Sequence, residues 1–524
     1  MANGDRNTSE NTGADVLVQT LLRGGVDTCF ANPGTSEMHL VAAIDRAPGM
    51  RAVLGLFEGV VTGAADGYAR IAGKPAATLL HLGPGLANGL ANLHNARKAG
   101  TPVINVVGDH AAHHLKYDAP LTSDIDALAG AMSHWVGRAE TADRIGARTA
   151  EALAATRGFP GRIATLILPA DSAWNRTRAQ PEELPTAPGP SGDGGHLDAM
   201  AEALRRHGPR AMLLVGGSAV RAPSLRQAEA VSRATGCRIA APGSNAVMDC
   251  GGGLPRLPRI PYVVDMALDF LADVDCLVTV GAPVPVAFFA YPDKPSLLIR
   301  EGCEVVKGCG AGFDPAATLA LLAERLPAGE PPRSLPRELP ASPEGALTPE
   351  TVAAALTVTL PDHAIVVDES ITSGRLVYAA MANAGPFTLL NNMGGSIGYG
   401  LPVALGAAVA SPGRRVLALI GDGSAFYTEQ ALWSLAREAA HVTVVIFANR
   451  SYAILRGEWT KTGAGEPGTT ARDMLTLDRP DPDWVSIARG HGVDAERVDD
   501  AAAFVRALRT AHATPGPRLI EVRL

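Results

Sequence analysis

Short apolar runs of strand length recur along this chain, separated by stretches with helical spacing. Val416–Ile420 is apolar throughout, and Val442–Ala448 is broken only by Thr443. A strand apolar on both faces belongs in a parallel sheet covered by helices on each side. Parallel neighbours need long crossovers, and amphipathic helices supply them. In the first third, Val16–Leu22 has helical spacing, and Val26–Ala31, Ala76–Leu80 and Val103–Val107 read as strands. The middle third has Ala211–Val215, Ile239–Ala241 and Cys276–Val280; the last has His363–Val367, Val416–Ile420, Val442–Phe447 and Leu519–Val522. Two segments break the pattern, Arg178–Gly195 and Leu326–Pro349, both rich in proline and read as exposed linkers. The expected fold class is α/β, with three doubly wound parallel-sheet domains at 1–177, 196–325 and 350–524. The length of 524 residues fits that number at roughly 150 residues per domain.

Composition excludes several functions. Apolar residues are 47% of the chain, enough for a core in each domain. Charged residues are 19% and the formal net charge is −7, the opposite of a nucleic-acid footprint. The apolar runs are too short to span a bilayer. Met1–Asn11 is polar, with no apolar stretch of signal-peptide type, so a cytoplasmic location and no membrane partner are expected. Cys29, Cys237, Cys250, Cys276, Cys303 and Cys309 form no CxxC pair and read as reduced thiols.

The sharpest motif is Gly421-Asp422-Gly423-Ser424, with Asn449 27 positions after the aspartate. Asp422 follows the strand Val416–Ile420, and Phe426–Ala440 has helical spacing, which puts Gly423 and Ser424 near a helix start suited to phosphate. Asn449 ends the next strand. Ligands of open α/β sheets sit at the carboxyl ends of strands. Asp422, the Asn449 side-chain oxygen and the Ser451 carbonyl make an oxygen set for a small hard cation that also holds a diphosphate.

In these residues the chain resembles the thiamine diphosphate enzyme superfamily, whose fingerprint runs from GDG to Asn-Asn about 30 residues on. Here the end reads Ala448-Asn449-Arg450, with one Asn of the pair. The resemblance spans the whole chain and is strongest to benzoylformate decarboxylase and the acetolactate synthase large subunit. It implies thiamine diphosphate held through Mg2+, with Asp422, Asn449 and Ser451 at the metal. Gly423, Ser424, Thr372, Tyr452 and Ala453 would contact the cofactor beside them. It implies that Glu58 is the catalytic glutamate at N1′ of the aminopyrimidine. Phe57 precedes it where many relatives have His. In Met393–Pro402, Ile397 matches the wedge beneath the bent cofactor, with the Gly395 carbonyl and the Ile397 N–H at the pyrimidine edge. Near Thr372, Ile371 occupies one of the two hydroxyl positions relatives use.

On the substrate side the resemblance points to His81 as a catalytic or carboxylate-orienting histidine and to Thr35 as a substrate hydrogen bond. Asp109-His110-Ala111-Ala112-His113-His114 falls where pyruvate decarboxylases carry a His-His pair. His113 and His114 are candidates for catalysis and His110 for substrate contact; a metal at this cluster is not expected. Acetolactate synthases begin this loop Gly-Gln, and here it is Gly108-Asp109. Phe288 stands where benzoylformate decarboxylase has a second histidine. Leu455, Glu458 and Trp459 either line the pocket or face a partner subunit.

The activity implied is decarboxylation of a 2-oxo acid, or carboligation of its product with an aldehyde or ketone acceptor. An acetolactate synthase-type transferase is the alternative, and a cofactor-binding homologue without catalysis is a third. FAD would belong to the second, but Gly216-Gly217-Ser218-Ala219 is not GxGxxG. Since relatives place the glutamate and the diphosphate site on different subunits, a homodimer or homotetramer is implied, with sites at the dimer interface.

Overall fold

The computed structural model describes residues 11–184, 189, 191–327 and 337–524. Parts of both expected linkers (185–188, 190 and 328–336) and most of the polar N-terminus lie outside the described residues. The chain divides into two compact units, one up to Ala187 together with Leu405–Ala410, the other comprising the rest.

The first unit is built on a six-stranded sheet. Its order is Arg51–Leu54, Thr28–Asn32, Ala76–Leu80, Val103–Asp109, Ile163–Pro169, Trp135–Arg138, parallel throughout. The order reverses between Thr28–Asn32 and Ala76–Leu80, which creates a crevice at their carboxyl ends. Glycine and alanine dominate the helix Glu58–Ala72, which is buried along nearly its whole length. Its neighbour Leu82–Ala99 can approach closely because neither presents bulk at the contact.

The second unit holds two sheets. Four parallel strands run Arg238–Ala240, Ala211–Val215, Cys276–Val280, Glu304–Lys307. The other sheet has seven: Met248–Cys250, Phe387–Asn391, Ile365–Glu369, Val416–Gly421, Val442–Ala448, Arg518–Arg523 and Asp494–Val498. Only Met248–Cys250, borrowed from the middle of the chain, pairs antiparallel. Leaving that strand aside, the order is the one seen in the six-stranded sheet, with the reversal between Ile365–Glu369 and Val416–Gly421.

Three sequence expectations change. Of the helix expected over Phe426–Ala440 only Ala431–Arg437 forms, preceded by a separate one-turn helix, Asp422–Ala425. Between them the Tyr427 and Thr428 N–H groups bond three residues back, and the Thr428 hydroxyl donates to the Gly398 carbonyl at 3.0 Å. A side chain tied to another element holds the backbone in turns where helical spacing alone would continue. The strand expected from His363 begins at Ile365, because His363 has φ +62°, outside the β region. That expected from Val26 begins at Thr28, since the Val26 N–H still closes the preceding helix onto Leu21. All six cysteines are unpaired. Among the described residues no helix is long and apolar enough to cross a membrane.

Candidate active site

At the crevice of the six-stranded sheet, Glu58 is the first residue of its helix and is buried. Its oxygens do not cap that helix. Oε1 accepts from Asn32 Nδ2 at 3.2 Å and Oε2 from Asn88 Nδ2 at 2.9 Å. Asn32 ends one central strand and Asn88 lies on the helix that follows the other. Both partners are neutral amides, so the buried carboxyl group is held by side-chain donors that carry no charge.

His81 follows Ala76–Leu80 and precedes the helix Leu82–Ala99. Its Nδ1 lies 2.7 Å from Glu37 Oε2. A carboxylate only accepts, so Nδ1 is the donor of this pair and Nε2 is left for another partner. Glu37 is fully buried and also accepts the Gly34 N–H at 2.8 Å and the Ser36 hydroxyl at 2.7 Å. A Cβ on Gly34 would come within 2.3 Å of the His81 ring, so only glycine lets the ring lie against this turn. Glu37 was not among the sequence candidates. Its one local signal is its place three residues after Gly34, where its side chain bonds back to that N–H. The hydroxyl near His81 is that of Ser36, 3.4 Å from Nδ1, while Thr35 is exposed. Leu82, buried, has φ +47°. Bulky residues rarely adopt that conformation, and such strain collects at functional turns.

The histidine cluster spreads outward. His113 is 73% exposed, with Nδ1 4.0 Å from Asp171 Oδ2. His114 is exposed between the rings of His110 and Tyr117, at 5.3 and 5.8 Å. Asp109 is engaged by Arg138. These histidines do not gather as a ligand set; among the described residues the His/Cys/Asp/Glu group with ligand spacing is His207, Cys276 and Glu304. There the Arg206 guanidinium already sits on Glu304.

At the reversal of the seven-stranded sheet, Asp422 follows the strand Val416–Gly421 directly. Oδ1 accepts the Gly423 N–H at 2.8 Å and Oδ2 the Arg450 N–H at 2.6 Å. Burial pushes the Asp422 carboxyl above its ordinary pKa, against the pull of those N–H groups. The neighbouring strand Val442–Ala448 delivers Asn449, whose Oδ1 accepts the Ser451 N–H at 3.0 Å and whose Nδ2 donates to Ser373 Oγ at 3.3 Å. Ser373 belongs to the turn after Ile365–Glu369, beside Thr372. Three adjacent strand ends thus meet here. Arg450 and Ile371, in two of their turns, have φ +53° and +51°. A Cβ on Gly423 would meet the Tyr452 ring at 2.6 Å, so the ring packs against the turn. Ser424 is buried in the one-turn helix Asp422–Ala425, and Ala453 opens the helix Ala453–Lys461. A desolvated carboxyl beside an amide oxygen and a main-chain carbonyl is a donor set a hard cation stabilises, so the residues fit Mg2+ and a diphosphate.

In the same unit Gly395, with φ +77°, lies against Phe288; a Cβ there would be 2.7 Å from the ring. Phe288 packs on Tyr262 and Phe289, with centroids 5.6 and 4.9 Å away. Leu455 is exposed. Glu458 is buried and engaged: Tyr291 Oη donates to Oε2 at 2.6 Å and Lys461 Nζ to Oε1 at 2.9 Å. Burial alone would raise its pKa, but these donors hold it below the ordinary value. It joins its helix to the Pro285–Tyr291 segment. Gly216 brings two strand ends together, its Cβ position 2.6 Å from the Gly281 carbonyl, a packing role for that glycine turn.

Each of the two larger sheets thus gathers buried carboxylates at its own reversal point, and the comparisons with known proteins give the class. The thiamine pyrophosphate enzyme N-terminal TPP binding domain matches residues 11–130 and the C-terminal TPP binding domain matches 373–522. The chain belongs to the thiamine pyrophosphate enzymes, in the group of 2-oxo acid decarboxylases and acetolactate synthases. It is 50% identical to a Mycobacterium tuberculosis protein provisionally named acetolactate synthase large subunit IlvX, over 97% of this chain and 98% of that one. It is 30% identical to benzoylformate decarboxylase of Pseudomonas aeruginosa, over 96% and 97%. The fold matches a solved thiamine diphosphate-dependent 4-hydroxybenzoylformate decarboxylase of Rhodococcus jostii at a TM-score of 0.82. That structure is 24% identical, with 98% and 99% of the two chains covered.

Proposed function

We propose that this enzyme holds thiamine diphosphate through Mg2+ and decarboxylates a 2-oxo acid, joins the product to an aldehyde or ketone acceptor, or does both. The observation carrying this is the oxygen set of Asp422, Asn449 and Ser451 on neighbouring strand ends. The bound cofactor supplies a carbon nucleophile and an electron sink for bonds beside a carbonyl. Asp422, Asn449 and the Ser451 carbonyl hold the metal; Gly423, Ser424, Thr372, Tyr452 and Ala453 surround the diphosphate. Glu58 shares a proton at the pyrimidine N1′, its carboxyl kept in place by Asn32 and Asn88. His81 offers Nε2 to the substrate, its ring fixed through Nδ1 by Glu37. Gly395 and Ile397 meet the pyrimidine edge, and Phe288 gives the pocket an apolar wall instead of a proton donor.

In this reading residues 1–177 bind the pyrimidine, 196–325 form the middle domain and 350–524 bind the diphosphate. The enzyme is cytoplasmic and a homodimer or homotetramer, with Glu58 of one subunit serving the metal site of another. Incubating holoenzyme with a panel of 2-oxo acids, with and without an aldehyde, and identifying products by mass spectrometry tests the activity. Aldehyde alone marks a decarboxylase, a 2-hydroxy ketone a carboligase; no turnover of any acid overturns the reading. The name carried by the 50% identical relative favours a second reading, an acetolactate synthase-type transferase. Acetolactate from pyruvate would support it, and a flavin absorption band in the purified protein would add FAD.

A further inference from the structure

The turn Gly394–Gly400 is held at both ends by two side chains that no part of the mechanism uses. Asn392 holds the first half: Oδ1 accepts the Gly394 N–H at 3.1 Å and the Gly395 N–H at 2.9 Å, while Nδ2 donates to the Ser396 carbonyl at 2.6 Å. Glu369 holds the second half. It is the last residue of the strand Ile365–Glu369 and is buried. Oε1 accepts the Tyr399 N–H at 3.1 Å and Oε2 the Gly400 N–H at 2.7 Å. The Gly398 N–H also points at it, so Glu369 gathers three successive N–H groups of the turn. Ile397 is left at the centre, framed on both sides.

Burial holds the Glu369 carboxyl up at about 7, despite the downward pull of the surrounding N–H groups. Desolvating a carboxylate is costly, and replacing its hydrogen-bonded acceptor would strand buried N–H groups. Its place at the start of the helix Gly400–Ala410 offsets part of that cost through the helix dipole. A plain turn before a helix needs only a Ser, Thr or Asp cap of its own. Here the cap comes from another strand, one that also carries the Thr372–Ser373 turn.

We propose that Glu369 and Asn392 are positioning residues that set Ile397 and Gly395 for the aminopyrimidine ring, independently of the hold on the diphosphate. This rests on the proposed cofactor reading, in which Gly395 and Ile397 meet the pyrimidine. Because the metal ligands lie on other strand ends, loosening this frame weakens recognition of the ring and spares recognition of the diphosphate.

The test compares two probes on the full-length protein by calorimetry: thiamine diphosphate and inorganic pyrophosphate, each with Mg2+. For Glu369→Gln and Asn392→Ala the expected result is a loss of about tenfold or more in thiamine diphosphate affinity. Pyrophosphate affinity should stay within about twofold of wild type, since its ligands are untouched. Should Glu369→Gln fail to fold, Asn392→Ala, at a half-buried polar position, carries the test. Equal losses for both probes would make these residues general supports of the fold and overturn the proposal. So would unchanged affinity for both. If the wild-type protein binds pyrophosphate but not thiamine diphosphate, the cofactor reading itself falls; if wild type binds both normally and the variants do not discriminate, only the positioning role falls.

Discussion

The six-stranded and seven-stranded sheets share one strand order and put their buried carboxylates at the same topological place, yet bind those carboxylates differently. In the first, Glu58 is held by the amides of Asn32 and Asn88, and Glu37 by the His81 imidazole, a serine hydroxyl and one N–H. In the second, Asp422 and Glu369 are held mainly by backbone N–H groups. A main-chain N–H is fixed in direction and never gives up its proton. Carboxylates bound that way become rigid anchors, suited to holding a cation or a turn. Side-chain donors can rotate and, for an imidazole, change protonation state. Carboxylates bound to them can take part in proton movement. We infer that the same crevice would yield an anchoring site or a proton-handling site according to what donates to its acids.

The comparison breaks first at Asp422. Asp422→Ala removes the anionic group of the proposed metal site, and Mg2+-dependent thiamine diphosphate binding should be lost altogether in calorimetry. Wild-type affinity would mean that the anchor lies elsewhere. Glu58→Gln should do the opposite: under the proposed function the cofactor still binds, because its diphosphate would be held by the other site. Exchange of the cofactor C2 proton with deuterium, read by quenching and proton NMR, should slow by about 10²- to 10⁴-fold, the range for a lost general acid–base group. Exchange at the wild-type rate would return Glu58 to the role of a helix-start residue.

A smaller effect is expected at Glu37. Glu37→Gln keeps the size but can present its NH2 group to the Nδ1–H of His81, which loosens the ring and its tautomer. Turnover of the best 2-oxo acid should fall about tenfold, within the range for partners that orient a functional histidine. His81→Ala should cost about 10²-fold. Making both changes together should cost little more than His81→Ala alone, since Glu37 acts through His81. Additive losses would show that Glu37 has a separate role.

Much of this was legible along the chain. Ala76–Leu80, Ala211–Val215 and Cys276–Val280 are strands over the very residues their apolar runs marked. The spacing from Asp422 to Asn449 marked two strand ends that the structure brings together, because a strand, a short crossover and a parallel neighbour leave little freedom. What stayed hidden is long-range. Glu37 and His81 are 44 residues apart, Glu369 and Gly400 31, Tyr291 and Glu458 167. No periodicity encodes such pairs; they follow from the strand order. The broken helix after Ala425 has the same origin, a threonine hydroxyl reaching a carbonyl 30 residues away.

The smallest effect concerns strain at the anchoring site. Ile371, in the turn after the strand Ile365–Glu369, has φ +51° and an exposed side chain. A β-branched residue in that region is an outlier that costs about 1–3 kcal/mol. Glycine adopts it freely but loses more entropy on folding, by about 0.5–1 kcal/mol. At 44% exposure the Ile371 side chain has only part of its apolar surface to lose on removal. Ile371→Gly should therefore stabilise the apoprotein by about 1 kcal/mol, seen as a higher midpoint in urea with an unchanged slope. The neighbouring Ser373 Oγ, which accepts from Asn449, keeps its partner, so pyrophosphate affinity with Mg2+ should hold. A destabilised variant would mean that the isoleucine side chain supports the turn through contacts that outweigh its backbone strain. A stabilised variant with weakened pyrophosphate binding would mean that the strained turn is itself part of the anchor, and that this site depends on a rigid backbone as strongly as on its ligand oxygens.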